Sequence, residues 1–299
     1  MDTLVSIDVF PGPGEREPLE AIERALGWFA TVERHCSRFD PESELRRLCA
    51  QPAGTPTIVS ELLFSALELG LGVSEATDGA FDITVGARLA HDGYDRNYLT
   101  GEYSGGAAET IGQASWRDVR LDADRRLVAL RRPLLLDLGA VAKGFAIDLA
   151  GRELALYQRW AVYAGGDLLL HDSRPQAKPF EVEIRHPRES GGVIETLALA
   201  NGSVCTSGDY ERGHHIVETS GASRSTTLIS STVVAPTAVI ADALSTAAFL
   251  LGPRRAIRFL EAQAVEGLLF DSDLRRYETR GFKRLRAGYR TGANSAAKA

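Results

Sequence analysis

Residues 233–252 read Val-Val-Ala-Pro-Thr-Ala-Val-Ile-Ala-Asp-Ala-Leu-Ser-Thr-Ala-Ala-Phe-Leu-Leu-Gly, an almost unbroken apolar run with one carboxylate, Asp242, at its centre. An acid at the middle of a bilayer costs about 2.5–3.5 kcal/mol, and Pro236, Ser245 and Thr246 add to that penalty. The run is therefore not a membrane span and has to fold as a helix inside a protein core. From Thr237 to Leu251, Ile240, Leu244, Ala247 and Leu251 form an apolar stripe at helical spacing, while Asp242 and Thr246 fall on the other face. Side chains four residues apart on a helix lie one above the other, so Asp242 and Thr246, with Ser245 beside them, can grip one hard cation such as Mg²⁺. The alternative is an acid bonded to neighbouring hydroxyls on an exposed face. The surrounding Ala, Val, Leu and Phe residues weigh against it, because an ionised carboxylate in such company needs a partner.

Composition narrows the field. The chain has 299 residues, 44% of them hydrophobic and 25% charged, which suits a soluble globular protein with a sizeable core. Lys and Arg number 34 against 40 Asp and Glu, a net charge of −6, so no positive field exists to hold a nucleic acid. Cys36, Cys49 and Cys205 form no CxxC pair, and the six histidines show no HExxH spacing. A disulfide framework and a thiolate zinc site are thereby disfavoured, and metal chemistry is expected from oxygen ligands. Asp2 and Asp8 stand where a secretory signal needs a basic start and an apolar run, which predicts a cytoplasmic protein without membrane insertion.

The periodicities predict an α+β fold with largely antiparallel sheet, in one domain over residues 1–285 followed by a disordered polar tail over 286–299. Residues 3–10 alternate as a strand and stop at Pro11-Gly-Pro-Gly14. Helices are expected over 19–38, 60–77, 141–157, 237–251 and 254–264. Strands are expected over 119–121, 127–130, 134–138, 161–170, 180–185, 196–199, 203–206, 214–218 and 227–234, and residues 92–110 read as a surface excursion.

Several short motifs bear on chemistry. Leu134 to Gly144 reads as a buried strand passing through Gly139 into a helix whose N-terminal N–H groups suit phosphate or carboxylate; Lys143 adds a mobile charge there, or simply pairs with Asp137. Neither GxxxxGK[ST] nor GxGxxG occurs, which removes support for a Walker loop or a Rossmann site. Gly165-Gly166 inside a strand signals a bulge, or less commonly a ligand lying against the backbone. Ser207 and Arg212 either bind phosphate or fix a turn. His214 and His215 are adjacent in a strand and point to opposite faces, so only one can enter a given pocket, and a structural histidine is the commoner case.

Taken together, Phe39-Asp-Pro-Glu-Ser-Glu-Leu45, Gly79-Ala-Phe-Asp-Ile-Thr-Val-Gly86, Asp137-Leu-Gly-Ala-Val-Ala-Lys-Gly144 with Asp148, Ala164-Gly-Gly-Asp167, Thr206-Ser-Gly-Asp-Tyr-Glu-Arg212, His215-Ile-Val-Glu218 and the run from Val234 to Thr246 resemble, in order, the ApbE family, the FAD:protein FMN transferases. The resemblance covers about residues 3–275. It implies a Mg²⁺-dependent enzyme that cleaves the FAD pyrophosphate and attaches FMN through a phosphoester to a Thr or Ser of an acceptor flavoprotein, releasing AMP. Carried over by position, it puts the metal on the Ala140 carbonyl, Asp242 and Thr246, with Ser245 as a further ligand. It puts FAD against Met1, Phe39, Ala80, Phe81, Asp82, Asp137, Lys143 and the backbone near Val217. Gly165, Gly166, Ser207 and Arg212 join that set as cofactor contacts. His215 corresponds to the base that activates the acceptor hydroxyl. The chain departs from the usual pattern at Asp2, where glycine is usual, at Cys49, where asparagine is frequent, and after His215, where Glu218-Thr-Ser-Gly221 is shorter and lacks a basic residue. Two other readings keep the same residues: an FAD pyrophosphatase using water as acceptor, and a flavin-binding protein with little turnover.

Overall fold

The computed structural model describes residues 3–94, 114–209 and 227–289. In chain order its first half contains β1 (Val5–Val9), α1 (Leu19–Cys36), α2 (Glu44–Cys49), β2 (Thr57–Ile58), α3 (Glu61–Ala76), α4 (Gly86–His91), β3 (Val119–Asp122), β4 (Leu127–Leu130) and α5 (Gly139–Glu153). The second half contains β5 (Arg159–Ala164), β6 (Asp167–Asp172), β7 (Phe180–Arg185), β8 (Val193–Leu199), β9 (Gly202–Gly208), β10 (Leu228–Ala235), α6 (Ala238–Leu251), α7 (Pro253–Ala262), β11 (Glu266–Asp271) and β12 (Arg276–Glu278).

Seven strands form one sheet in the order β1-β5-β6-β9-β10-β11-β12, antiparallel throughout. Its central strands are buried on both faces, so the period of two decides only which core each side chain enters. Leu169, Val233 and Leu269 join the core shared with α1, α3, α5 and α6. Their neighbours Leu168, Leu170, Val234, Leu268 and Phe270 point the other way, into a second core closed by the β7–β8 hairpin and Phe282. A three-stranded sheet, β2-β4-β3, lies apart from the large one. The α+β expectation holds, and among the described residues no helix is long and apolar enough to cross a membrane.

Three expectations need correction. The strand predicted over 161–170 is two strands, joined by Gly165-Gly166 in a two-residue turn. Both glycines have positive φ, +59° and +96°, the conformation a tight hairpin turn with the natural strand twist requires, so the pair is not a bulge. Residues 134–138 join no sheet. Leu134, Leu135, Leu136 and Leu138 are buried by helices instead, and the Asp137 N–H donates to the Ile83 carbonyl at 2.8 Å. Finally, ordered contacts run past residue 285: Arg286 bridges to Leu197 and pairs with Glu195 and Glu278, a charge network that holds the chain where the tail was expected to begin.

Helix α6 is the most enclosed helix, and its start is fixed by a distant acid. The two carboxylate oxygens of Asp148, on α5, accept from the N–H groups of Ala238 at 2.7 Å and Val239 at 2.9 Å. These are first-turn donors with no partner inside the helix, so Asp148 caps α6 from outside it. Burial raises the Asp148 pKa and the two N–H bonds oppose that rise. Asp148→Ala is expected to lower stability by about 1–2 kcal/mol, the usual cost of losing a helix cap, as measured by urea unfolding. An unchanged midpoint would contradict this assignment.

Candidate active site

Helices α5 and α6 cross at Gly144. A Cβ added there would lie 2.4 Å from the Ala238 carbonyl oxygen and 2.6 Å from the Val239 Cα, so no other residue permits this approach. The closeness brings the Gly144 N–H within 3.0 Å of Asp242 Oδ2, to which it donates. An α-helix directs that same N–H at the carbonyl of Ala140, whose hold on it is therefore at most shared. Asp242 is 4% exposed and belongs to the enclosed side of the molecule, not to a solvated helix face. Its other oxygen, Oδ1, lies 3.5 Å from Lys143 Nζ.

Lys143 does not pair with Asp137. Its ammonium forms a close ion pair with Asp167 Oδ2 while also facing Asp242. Asp167, the first residue of β6 and 1% exposed, accepts the Thr206 N–H on Oδ1 at 3.0 Å. Asp167 closes the Ala164-Gly-Gly-Asp167 motif, but the motif alone gave it no role. Its signal was the turn before it: a Gly-Gly hairpin places the following residue at the start of a buried strand.

Three hydroxyls complete this end of the site. Ser207 Oγ on β9 lies 2.8 Å from Ser245 Oγ and 3.0 Å from Thr246 Oγ1, and Ser245 also donates to the Asp242 carbonyl at 2.9 Å. The candidate donors are thus one carboxylate, two or three hydroxyls and the Ala140 carbonyl. Among the described residues no three His, Cys, Asp or Glu side chains gather into a metal-binding group. An all-oxygen set with one acid suits a hard cation such as Mg²⁺ and does not suit zinc. Cys205, beneath this cluster, is held protonated because burial pushes its thiol pKa up.

A second group adjoins the start of α5. The Gly139 N–H, predicted to be free for a ligand, is taken by Asp137 Oδ1 at 2.8 Å. Asp137 Oδ2 receives Arg38 Nε. Arg38 was not anticipated from the sequence. Its guanidinium is 5% exposed, donates from Nη2 to the Tyr94 carbonyl at 2.6 Å, and lies 4.0 Å from the centre of the Phe39 ring. Phe39 and Asp137 are therefore joined through one buried cation. Asp82 adjoins them through Ile83, but both its oxygens are engaged: Oδ1 by the N–H and hydroxyl of Thr84, each at 2.8 Å, and Oδ2 by the Trp116 N–H at 3.0 Å. Burial raises its pKa against those bonds. Phe81 is packed into the core, leaving backbone and the half-buried Ala80 at the surface of this loop. Gly165 and Gly166 are exposed at their turn, where the Gly165 N–H meets the Leu4 carbonyl at 3.1 Å.

The structure thus unites Lys143, Asp242, Ser245, Thr246, Ser207 and the α5 turn carrying Ala140, and separately unites Phe39 with Asp137. Met1, Arg212, His214, His215 and Val217, together with the strand predicted over 214–218, lie outside the described residues.

Comparison with known proteins gives a consistent result. The ApbE family profile matches residues 1–269. The FAD:protein FMN transferase of Haemophilus influenzae is 28% identical over 249 residues, covering 77% of this chain and 72% of that protein. That of Treponema pallidum is 28% identical over 302 residues, covering 91% and 83%. A crystal structure of the ApbE protein from Thermotoga maritima superposes with a TM-score of 0.82 at 26% identity, covering 95% of this chain and 99% of that one. The flavin transferase ApbE from Vibrio cholerae shares the fold, with a TM-score of 0.82 at 20% identity.

The helix crossing makes a direct prediction. Gly144→Ala is expected to destabilise the protein by about 1–3 kcal/mol or more, because backbone atoms cannot step aside as side chains do. Gly27→Ala, on α1 with nothing within 4 Å of the added carbon, is expected to stabilise by about 0.5–1 kcal/mol. Parallel thermal unfolding of the two variants checks the contrast, and equal shifts would contradict it.

Proposed function

The chain belongs to the ApbE family, and from that premise we propose that it is a Mg²⁺-dependent FAD:protein FMN transferase. The observation that carries the reading is the buried Asp242 carboxylate, tied to α5 by the Gly144 N–H and surrounded by Lys143, Ser245, Thr246 and Ser207. In this reading Asp242, Thr246, the Ala140 carbonyl and Ser245 hold Mg²⁺, which when bound neutralises charge on the phosphates during displacement.

The remaining roles follow the chemistry of the groups. Lys143 carries a mobile positive charge suited to the pyrophosphate. Phe39, Ala80, Phe81, Asp82 and Asp137 contact FAD from the α1 and α5 side, with Met1, Gly165, Gly166, Ser207, Arg212 and Val217 completing the contact set. His215 takes the proton from an acceptor Thr or Ser hydroxyl as its oxygen attacks the FMN phosphorus. The new P–O bond replaces the P–O bond to AMP, which leaves with the electron pair. The first test combines FAD, Mg²⁺ and a candidate acceptor flavoprotein. Flavin fluorescence on the denatured acceptor band is expected. Free FMN without labelled acceptor would point to a pyrophosphatase, and intact FAD retained on yellow protein to a binder.

Asp242→Ala is expected to abolish Mg²⁺-dependent FAD cleavage, since it removes the one charged oxygen ligand of the set. Thr246→Ala is expected to be milder, because water can replace a hydroxyl. Wild-type FMN release by a folded Asp242→Ala protein would overturn the site. His215→Asn is expected to slow single-turnover flavin transfer by about 10²–10⁴ with FAD binding retained, and His214→Asn to leave it near the wild-type rate. The reverse pattern would assign the base to His214, and full activity in both would remove it from this pair.

A further inference from the structure

Asp167 and Asp242 have matching environments. Each is buried, at 1% and 4% exposure, and each has one oxygen pinned by a backbone N–H, from Thr206 and Gly144 respectively. The second oxygen of each faces one and the same ammonium, that of Lys143. The two acids sit on rigid elements, β6 and α6, whereas the Lys143 side chain is 18% exposed and ends a flexible stem. One mobile cation is thus shared between two fixed anions.

We propose that Asp167 is a positioning residue that acts through Lys143. It retains the ammonium when Asp242 takes a divalent cation, so that Lys143 serves Asp242 as a stand-in cation in one state and stays beside the site as a phosphate-facing charge in the other. This rests on the metal reading above. The physical ground is that Oδ1 of Asp242, the oxygen not held by Gly144, is the one Lys143 faces; an ammonium and a divalent cation cannot both sit against it without strong repulsion. Without Asp167, the buried anion that the ammonium still faces among the described residues is Asp242. Removing Lys143 instead takes away the ammonium that Asp242 Oδ1 faces, which favours a divalent ion in its place.

The two members of the ion pair, Asp167 and Lys143, therefore predict opposite effects on cation affinity, measured by Mg²⁺ and Mn²⁺ titration calorimetry on the FAD-free full-length chain. Asp167→Asn, which keeps an acceptor for the Thr206 N–H, is expected to weaken binding about fivefold or more; Lys143→Met is expected to tighten it by a similar factor. In the Lys143→Met background, adding Asp167→Asn is expected to have little further effect, because the residue through which Asp167 acts is gone. A purely structural Asp167 would instead lower the melting temperature equally with and without Mg²⁺ and leave affinity unchanged. A carboxylate that attracts the cation directly would cost the same factor in both backgrounds. Either result overturns the proposal, and Asp167→Asn alone decides it against a structural role if Lys143→Met fails to fold. Wild-type protein that takes up neither cation would overturn the metal site as well, whereas normal wild-type binding with unresponsive variants would overturn this inference alone.

Discussion

The contact at Gly144 sets the geometry on which the rest of the site depends. Two helices approach until backbone meets backbone, and the N–H exposed by that approach lands on the only acid in α6. Asp148 holds the start of α6 one helical turn further along α5, so the pair is fixed at two points by hydrogen bonds between a carboxylate and a main-chain donor. Bonds of this kind are strong because the acceptor is charged and the surroundings exclude water. The sheet supplies the third wall: β6 presents Asp167, and β9 presents Ser207.

Burying this many acids is costly unless each has a partner, and the fold meets that cost with three devices. Asp148 and Asp82 rely on N–H donors and have raised pKa values. Asp137 has the Arg38 guanidinium and the Gly139 N–H. Asp242 and Asp167 share Lys143. A guanidinium is a fixed planar fork and an ammonium is a mobile point charge, which fits a static role for Arg38 beside Phe39 and an adjustable one for Lys143 between two acids. The two halves of the site are chemically unlike although both are an acid next to a base.

Sequence periodicity located most elements because helix stripes and strand alternation are local. The α6 stripe, the helix over Glu61–Ala76 and the strand Phe180–Arg185 all follow from patterns within the segment itself. Residues 134–138 look like a strand because a run of leucines suits any buried extended chain; whether a ladder forms depends on neighbours that the segment does not encode. The Gly165-Gly166 turn was obscured for a related reason, since both flanking strands are buried on both faces and the apolar residues on either side of it read as one strand. Asp242 and Lys143 stood out because a charge in apolar company is conspicuous, and Thr246 because it lies one helical turn after Asp242. Arg38 and Asp167 did not, because each is explained only by a partner far along the chain, 99 and 24 residues away.

The central claim is that the α5–α6 crossing presents Asp242 through the Gly144 amide. Amide hydrogen exchange of ¹⁵N-labelled protein observes that proton directly. The Gly144 amide is expected to exchange only through global unfolding, and Asp242→Ala is expected to speed it by orders of magnitude while leaving mid-helix α5 amides such as Leu149 protected. Fast Gly144 exchange in the wild-type protein, or exchange indifferent to loss of Asp242, would contradict the account.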